Sequence, residues 1–395
     1  MAPYGGMELR AELLRLHQAD IGAEEEAEVL AALRSGWLTR GPRTALFEER
    51  FAARVAAPYA LGVNSCTAAL HLALLAAGVG QGDEVIVPAL TFAATANVVV
   101  HCGATPVFAD VHPDTHTLDP AHAASLITPR TRAIIPVHFA GVPCDLAALR
   151  ELAERHGLFL LEDCAHSIEA QYLGAPVGVG GGSRFGAYSF YATKNLICGE
   201  GGMLTCRDGS DLERARVLSL HGMSSDAWRR YSGEGFRLYD IAAAGFKYNM
   251  SDLQAALGLV QLGKLDANHQ RRQARLAQYG DLIAAAFPGG EVTLQQCPPN
   301  RKHACHLCIV RLAPGLAPRR DAVITALLKS NVQAYVHYIC LTGTQLYRER
   351  FHTRLTDTPV AAVLSRRSIT LPLFPAMTEA DVDYVVAMLS RAVAG

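Results

Sequence analysis

Short apolar runs alternate with helical patterns through the first half of this 395-residue chain, and that alternation limits its fold more than any other feature. Strand-like runs fall at Leu61 to Val63, Glu84 to Val87, Pro106 to Ala109, Ala133 to Val137 and Phe159 to Glu162, with two more at Ala187 to Phe190 and Met203 to Cys206. Between the first five lie helical stretches at Thr67 to Ala77, Ala93 to Cys102, Pro120 to Leu126 and Leu146 to His156. Repeated β-α-β units need crossover helices on both faces of a mainly parallel sheet, so the expected class is α/β. Ligands in such sheets bind beyond the carboxyl ends of the strands, which directs attention to the residues after each run.

Around Met250 the texture changes. Asp252 to Ala286 reads as one long helix, and Ser251-Asp252 supplies its capping signal. Beyond it come strand candidates at 306–312 and 333–337 and a closing amphipathic helix from Glu379 to Val393. The expected organisation is a large α/β domain over residues 1–250, including an N-terminal helical segment, and a linking helix with a small α+β domain over 251–395. Ser224 to Phe246 lacks periodicity and is rich in Gly, Arg and Tyr, a loop length typical of functional segments.

The charge balance excludes several functions. With 36 Lys+Arg against 37 Asp+Glu and no basic block, the chain has no electrostatic footprint for nucleic acid. Its apolar runs stop well short of the roughly 18 residues of a membrane span. Met1 to Met7 lacks a basic segment followed by an apolar one, so a cytoplasmic protein without membrane contact is expected. Ten cysteines scattered through apolar segments suit buried, reduced thiols.

Two Gly-rich segments, Gly78 to Gly82 and Gly178 to Gly182, do not complete a dinucleotide fingerprint between a strand and a helix, and no Walker lysine motif exists. His303-Ala304-Cys305-His306-Leu307-Cys308 has zinc-ligand residue types. It contains the sole CxxC, and in a strand residues 305 and 308 face opposite sides, so no metal site is expected.

Three strand ends carry more chemistry. Asn64-Ser65-Cys66-Thr67-Ala68-Ala69-Leu70 follows a strand and opens a helix, whose N–H groups suit a phosphate; an ordinary cap by Ser65 or Thr67 is the equal alternative. Phe159 to His166 drives a buried strand into Glu162 and Asp163, where a carboxylate can hold a protonated heterocyclic nitrogen or merely cap a helix. Ala187 to Asn195 runs into Lys194, followed by Gly199-Glu200-Gly201-Gly202. Only five of the basic residues are lysines, and Lys194 is the sole one in the first 246 positions. An amine in so apolar a setting is desolvated and competent to form a Schiff base. Phosphate turn, acidic strand end and reactive lysine are together the three attachments of pyridoxal 5′-phosphate.

On these motifs, from Gly36-Trp37-Leu38-Thr39-Arg40-Gly41-Pro42 to Leu371-Pro372-Leu373-Phe374-Pro375, the chain resembles the DegT/DnrJ/EryC1/StrS family of sugar aminotransferases, which are fold-type-I pyridoxal-phosphate enzymes with a seven-stranded sheet. The resemblance implies roles residue by residue. Lys194, in Ser-Phe-Tyr-Ala-Thr-Lys-Asn, would bind the cofactor and shuttle protons, and Asp163 would pair with the pyridinium nitrogen. His166 would lie beside the ring and Phe92 would stack on it. Cys66, Thr67 and Ser189 would contact the phosphate. Asn249 would reach the phosphate of the neighbouring subunit's cofactor, implying a homodimer with shared sites. Thr39, Arg40, Arg230 and His337 are substrate-side candidates.

The implied reaction has two halves: L-glutamate leaves its amino group as pyridoxamine phosphate, and a nucleotide-linked keto-sugar accepts it. Leu220-His221-Gly222-Met223 and Asp226 to Tyr231 resemble the branch acting on 4-keto-6-deoxy sugars. Alternatives within the fold are a cyclitol ketone of the scyllo-inosose type, a 3-keto sugar, a sugar 3-dehydratase and a non-catalytic paralogue. A dehydratase would carry histidine at position 194, and the intact Lys194 and Asp163 argue against the paralogue. Two segments depart from the family: Ser183-Arg184 where Gly-Asp is common, and His337-Tyr338-Ile339-Cys340-Leu341-Thr342 where Pro and a second His are common near the sugar.

Overall fold

The computed structural model describes residues 8–223 and 239–395. Helices α1 (Ala23–Ser35) and α2 (Pro42–Arg54) precede β1 (Tyr59–Val63). The alternation then runs α3 (Cys66–Ala76), β2 (Glu84–Pro88), α4 (Ala93–His101), β3 (Thr105–Ala109), α5 (Pro120–Ser125), β4 (Thr131–Ile134), α6 (Leu146–His156) and β5 (Phe159–Asp163). After the short β6 (Gln171–Tyr172) and β7 (Ala175–Pro176) come β8 (Phe185–Ser189), β9 (Gly202–Cys206) and α7 (Gly209–Ser219). The remainder holds α8 (Asp252–Ala286), β10 (Val292–Leu294), β11 (Arg301–Lys302), β12 (Cys308–Leu312), α9 (Arg320–Lys329), α10 (Gln345–Phe351), α11 (Pro359–Arg367), β13 (Ser368–Leu371) and α12 (Glu379–Ala394).

Among the described residues the main sheet has seven strands in the order β1-β9-β8-β5-β4-β2-β3. Pairs β3/β2, β2/β4, β4/β5 and β5/β8 are parallel, while β9 runs antiparallel to both β8 and β1. The α/β expectation is therefore met, with all seven strand candidates in one sheet. β4 stops at Ile134, short of the expected Val137, because Pro136 has no N–H to continue a ladder.

Helix α6 illustrates how local sequence sets an element. The Asp145 carboxylate accepts from Ala148 N at 3.3 Å, and Gly157 ends the helix in the left-handed region at φ 64°. In between, Leu146, Leu149, Leu152 and Ala153 fall on one buried stripe against the sheet. Each such leucine contributes on the order of 1.5–3 kcal/mol through burial. By contrast α3 is buried almost all round, wedged between the sheet, α4 and α7.

The 35-residue α8 starts at a capping box, in which Ser251 and Gln254 satisfy each other's backbone N–H groups. Asp252 at its first turn accepts from Gly41 N at 2.8 Å and Thr44 N at 2.9 Å, so one carboxylate caps α2 as well. A smaller sheet, β10-β12-β13, packs with α8, α9 and α12 around a separate apolar cluster. The N-terminal arm joins this cluster: Leu14 bridges Val332, and Arg10 pairs with Asp381 at 2.5 Å. Among the described residues no helix is long and apolar enough to cross a membrane.

Two strand expectations need correction. The segment 333–337 contributes only an isolated bridge, Tyr335 to Thr370. The chain leaves the small sheet there for the large one, where Leu341 N donates to Ala89 O at 2.9 Å. The second strand begins at Cys308 rather than 306, because His306 N and Leu307 N both donate to Ala140 O at 3.2 Å.

Candidate active site

A cavity of about 520 Å³ opens beyond the ends of β5 and β8 and the start of α3. Its walls include Cys66, Thr67, Phe92 and Asp163, and also His166, Ser189, Lys194 and His337. Residues as distant in sequence as Cys66 and His337 thus converge at the sheet edge that the topology marks for a ligand.

Asp163, 5% exposed, ends β5. Its Oδ2 accepts from Thr95 Oγ1 at 2.9 Å and its Oδ1 from Ala165 N at 3.1 Å. Burial raises its pKa, and those two hydrogen bonds together with Lys194 only partly oppose the shift. Such a carboxylate is short of positive charge and favours a cationic partner.

The Lys194 amine has no hydrogen-bond or ion-pair partner among the described residues and borders the cavity. Burial pushes its pKa down to about 8, against the raising influence of Cys66 and Asp163. The neutral amine is the nucleophile, so its reactivity should climb with pH and level off above about 8. Competitive acylation of the cofactor-free protein, read at Lys194 by peptide mass spectrometry across pH 6 to 11 (roughly, spanning the shifted and ordinary values), measures this directly. A midpoint at the ordinary lysine value would show the amine to be solvated.

Opposite walls of the cavity are aromatic. Phe92, just before α4, is 60% exposed, and its ring lies 5.7 Å from that of Tyr338. His166 Nδ1 accepts from Ala140 N at 3.3 Å, so the ring proton sits on Nε2, which meets the Tyr338 hydroxyl at 3.2 Å. Burial holds His166 well below its ordinary pKa, and it is neutral.

Beneath them, Ser65 caps α3 by accepting from Ala68 N at 3.1 Å, leaving the helix N-terminus at the cavity beside Cys66 and Thr67. Gly202 packs directly behind: a Cβ there would stand 2.4 Å from the Ser65 carbonyl carbon and 2.5 Å from Cys66 N. Burial, and next the Asp163 charge, raise the Cys66 thiol well above its ordinary value.

Three of the sequence candidates lie elsewhere in the described structure. Arg40 forms a two-pronged pair with Glu48, at 2.5 and 2.8 Å, and Glu48 also accepts from Gly62 N in β1. Thr39 O accepts from Asp252 N at 2.9 Å. Asn249 accepts from Lys247 Nζ and bridges Val63 at the end of β1. None of the three lines the cavity within one chain. Arg230 and the Asp226 to Tyr231 motif lie outside the described residues.

Both departures from the family pattern have structural partners. Ser183 Oγ donates to Glu162, and Arg184 makes a two-pronged pair with Asp211 at 2.8 and 2.9 Å. Thr342 is fully buried, sharing hydrogen bonds with Thr358 at 2.9 Å and Cys340 at 3.1 Å, outside the cavity lining. Behind Asp163, His138, Glu162 and Cys164 bring metal-ligand atoms within 4.8 Å of one another. Glu162, however, already accepts from His138 Nε2 at 2.8 Å, Gly178 N at 2.5 Å and Ser183. His138 Nδ1 accepts from Cys144 N, so Nε2 carries the proton, and the group is a hydrogen-bonded brace behind the strand end.

The lining residues that were not among the sequence candidates include Thr95, Tyr338, His17 and His306. The signal for Thr95 was a hydroxyl within the otherwise largely apolar α4, one helical turn past Phe92. His306 stood in the cysteine-histidine segment tested as a metal site, and no local pattern pointed to His17.

Residues 19–390 match the DegT/DnrJ/EryC1/StrS aminotransferase family. The chain is 44% identical over 385 residues to the spore coat polysaccharide biosynthesis protein SpsC of Bacillus subtilis, covering 95% of this chain and 96% of SpsC. Among solved structures, the pyridoxamine-phosphate form of the putative sugar aminotransferase Spr1654 from Streptococcus pneumoniae superposes with TM-score 0.89 at 32% identity, over 97% of this chain and 98% of that one. DesV of S. venezuelae, solved with a ketimine intermediate, gives TM-score 0.85 at 34% identity over 94% of each chain. The seven-stranded sheet thus belongs to a known architecture. The chain is a member of the DegT/DnrJ/EryC1/StrS family of fold-type-I, pyridoxal-phosphate-dependent sugar aminotransferases.

Proposed function

We propose that this enzyme moves the amino group of L-glutamate to the keto group of a nucleotide-linked sugar, a 4-keto-6-deoxy sugar by its motifs, as a cytoplasmic homodimer. The observation that carries the reading is the Lys194 amine, without a partner among the described residues, in one cavity with a buried, electron-rich Asp163. Those residues fit pyridoxal phosphate, as do the open α3 N-terminus and the exposed Phe92. When bound, the cofactor supplies an aldehyde that takes up the amino group and a ring that delocalises charge from the deprotonated carbon.

The chain's own residues do the rest. Lys194 Nζ would hold the cofactor and carry the proton taken from the substrate carbon, a task helped by a pKa near working pH. Asp163 would keep the ring nitrogen protonated, with Thr95 holding the carboxylate in place. Phe92 and His166 would confine the ring, while Cys66, Thr67 and Ser189 would hold the phosphate at the helix N-terminus. Asn249 would serve the phosphate bound by the partner subunit. Thr39, Arg40, Arg230 and His337 are proposed on the substrate side. A division at residue 250/251 into a cofactor-binding and a smaller unit draws support from the separate apolar cluster around Val310, Ile369 and Val386, which the arm residue Leu14 joins, while Cys340 to Leu364 pack into the core of the larger unit.

The sugar acceptor draws support from the 44% identity to a polysaccharide biosynthesis protein. L-Glutamate alone should convert the bound cofactor to its amine form, and a nucleotide-linked 4-keto-6-deoxy sugar should convert it back. A screen in which only a free cyclitol ketone restores the aldehyde form would replace the nucleotide sugar as substrate.

A further inference from the structure

His306 sits at the centre of a hydrogen-bond chain that fixes where its proton lies. Asn195, the residue after Lys194, directs Nδ2 at two groups that only accept: Glu169 Oε2 and Ala304 O, both at 2.8 Å. Its Oδ1 is therefore the atom 3.0 Å from His306 Nδ1, and an amide oxygen can only accept. His306 consequently carries its proton on Nδ1. Glu169 is in turn pinned by Arg272 at 2.5 Å, and both are 3% exposed, so the amide cannot easily turn over. The imidazole packs against two other rings, His166 with centroids 4.4 Å apart and tilted by 35°, and His17 stacked at 5.7 Å. With Nδ1 engaged by Asn195, Nε2 is the ring nitrogen left for the cavity that His306 lines with Lys194.

Tyr338 has the opposite polarity. Its hydroxyl oxygen accepts from His166 Nε2, so its own proton is available to the cavity. Burial raises its pKa, keeping it a donor, and burial likewise keeps His306 neutral. An acceptor and a donor thus share the cavity that Lys194 borders.

We propose that His306, locked as the Nδ1–H tautomer by Asn195, is the acceptor that orients a hydroxyl of the polyhydroxylated keto substrate beside Lys194, with Tyr338 as the matching donor. This rests on the reading of the enzyme as an aminotransferase for a hydroxylated ketone. Asn195, Glu169 and Arg272 are positioning residues that act through His306.

The test uses holoenzyme labelled with nitrogen-15 in histidine, with the His306 signals assigned by their loss in His306→Gln. The expected spectrum has a protonated Nδ1 and a bare Nε2, and Asn195→Ala should let the proton redistribute; a wild-type proton on Nε2 would overturn the proposal. In half-reaction kinetics, His306→Phe keeps the stacking but removes the lone pair. It should lower kcat/KM for the keto substrate by roughly 10–100-fold, at least about ten times more than for glutamate. His306→Gln, which can offer an amide oxygen, should recover part of that loss. Equal losses in both half-reactions, without recovery by Gln, would make His306 a packing residue only. An acceptor that proves to be a free cyclitol would sink the nucleotide-sugar reading and leave His306 standing.

Discussion

Lys194→Ala should lower amino transfer by about 10⁴-fold or more, because one substitution removes both the covalent anchor and the proton carrier. No other lysine can take over. Lys247 is engaged by Asn249, Lys264 pairs with Glu25 at 2.8 Å, and Lys302 and Lys329 lie on the exposed surface. The purified variant should also lack the visible band of a lysine-bound cofactor. Borohydride reduction followed by peptide mapping checks this independently of activity: wild-type protein should be labelled at Lys194 and the variant nowhere. A reduced adduct at another lysine of the variant would refute the assignment.

Asp163→Asn should weaken the cofactor-bound enzyme by roughly 10²–10³-fold, the scale set by removing one partner of a buried ion pair. The expected sign for the cofactor-free fold is the reverse. Burial raises the Asp163 pKa above its unfolded value, so the fold binds the extra proton between the two values. Stability therefore falls as pH rises through that window, and the deficit persists at neutral pH. The asparagine carries no such deficit, so the melting temperature of the cofactor-free variant should hold or rise while cofactor affinity drops. Parallel thermal melts and dialysis measure the two quantities. A variant that loses both would mean that Asp163 is a structural cap.

What could be read from sequence follows the range over which each determinant acts. The seven strands and α8 were legible because periodicity, caps and proline breaks are local. Asp163 and Lys194 were legible because strand ends in a parallel sheet are functional places and a lone lysine stands out. Tyr338 and His166 are 172 positions apart, and Asn195 and Ala304 are 109, so no local pattern joins them. His306 enters the cavity because the 304–307 backbone turns its N–H groups to Ala140 and Gly141 instead of extending β12. Its strand-like sequence, cysteines included, concealed that detour.

The contact between Gly202 and the Ser65–Cys66 peptide bears on how freely this enzyme can diversify. Because even a methyl group there would collide with backbone rather than with a flexible side chain, position 202 admits no neutral drift unless α3 retreats. Val63 pairs with Gly202 across the β1/β9 ladder, so a one-residue slip would bring Met203 or Gly201 into that place. Mutational libraries aimed at new acceptors should therefore leave the β9 entrance untouched and spend their diversity on the opposite wall.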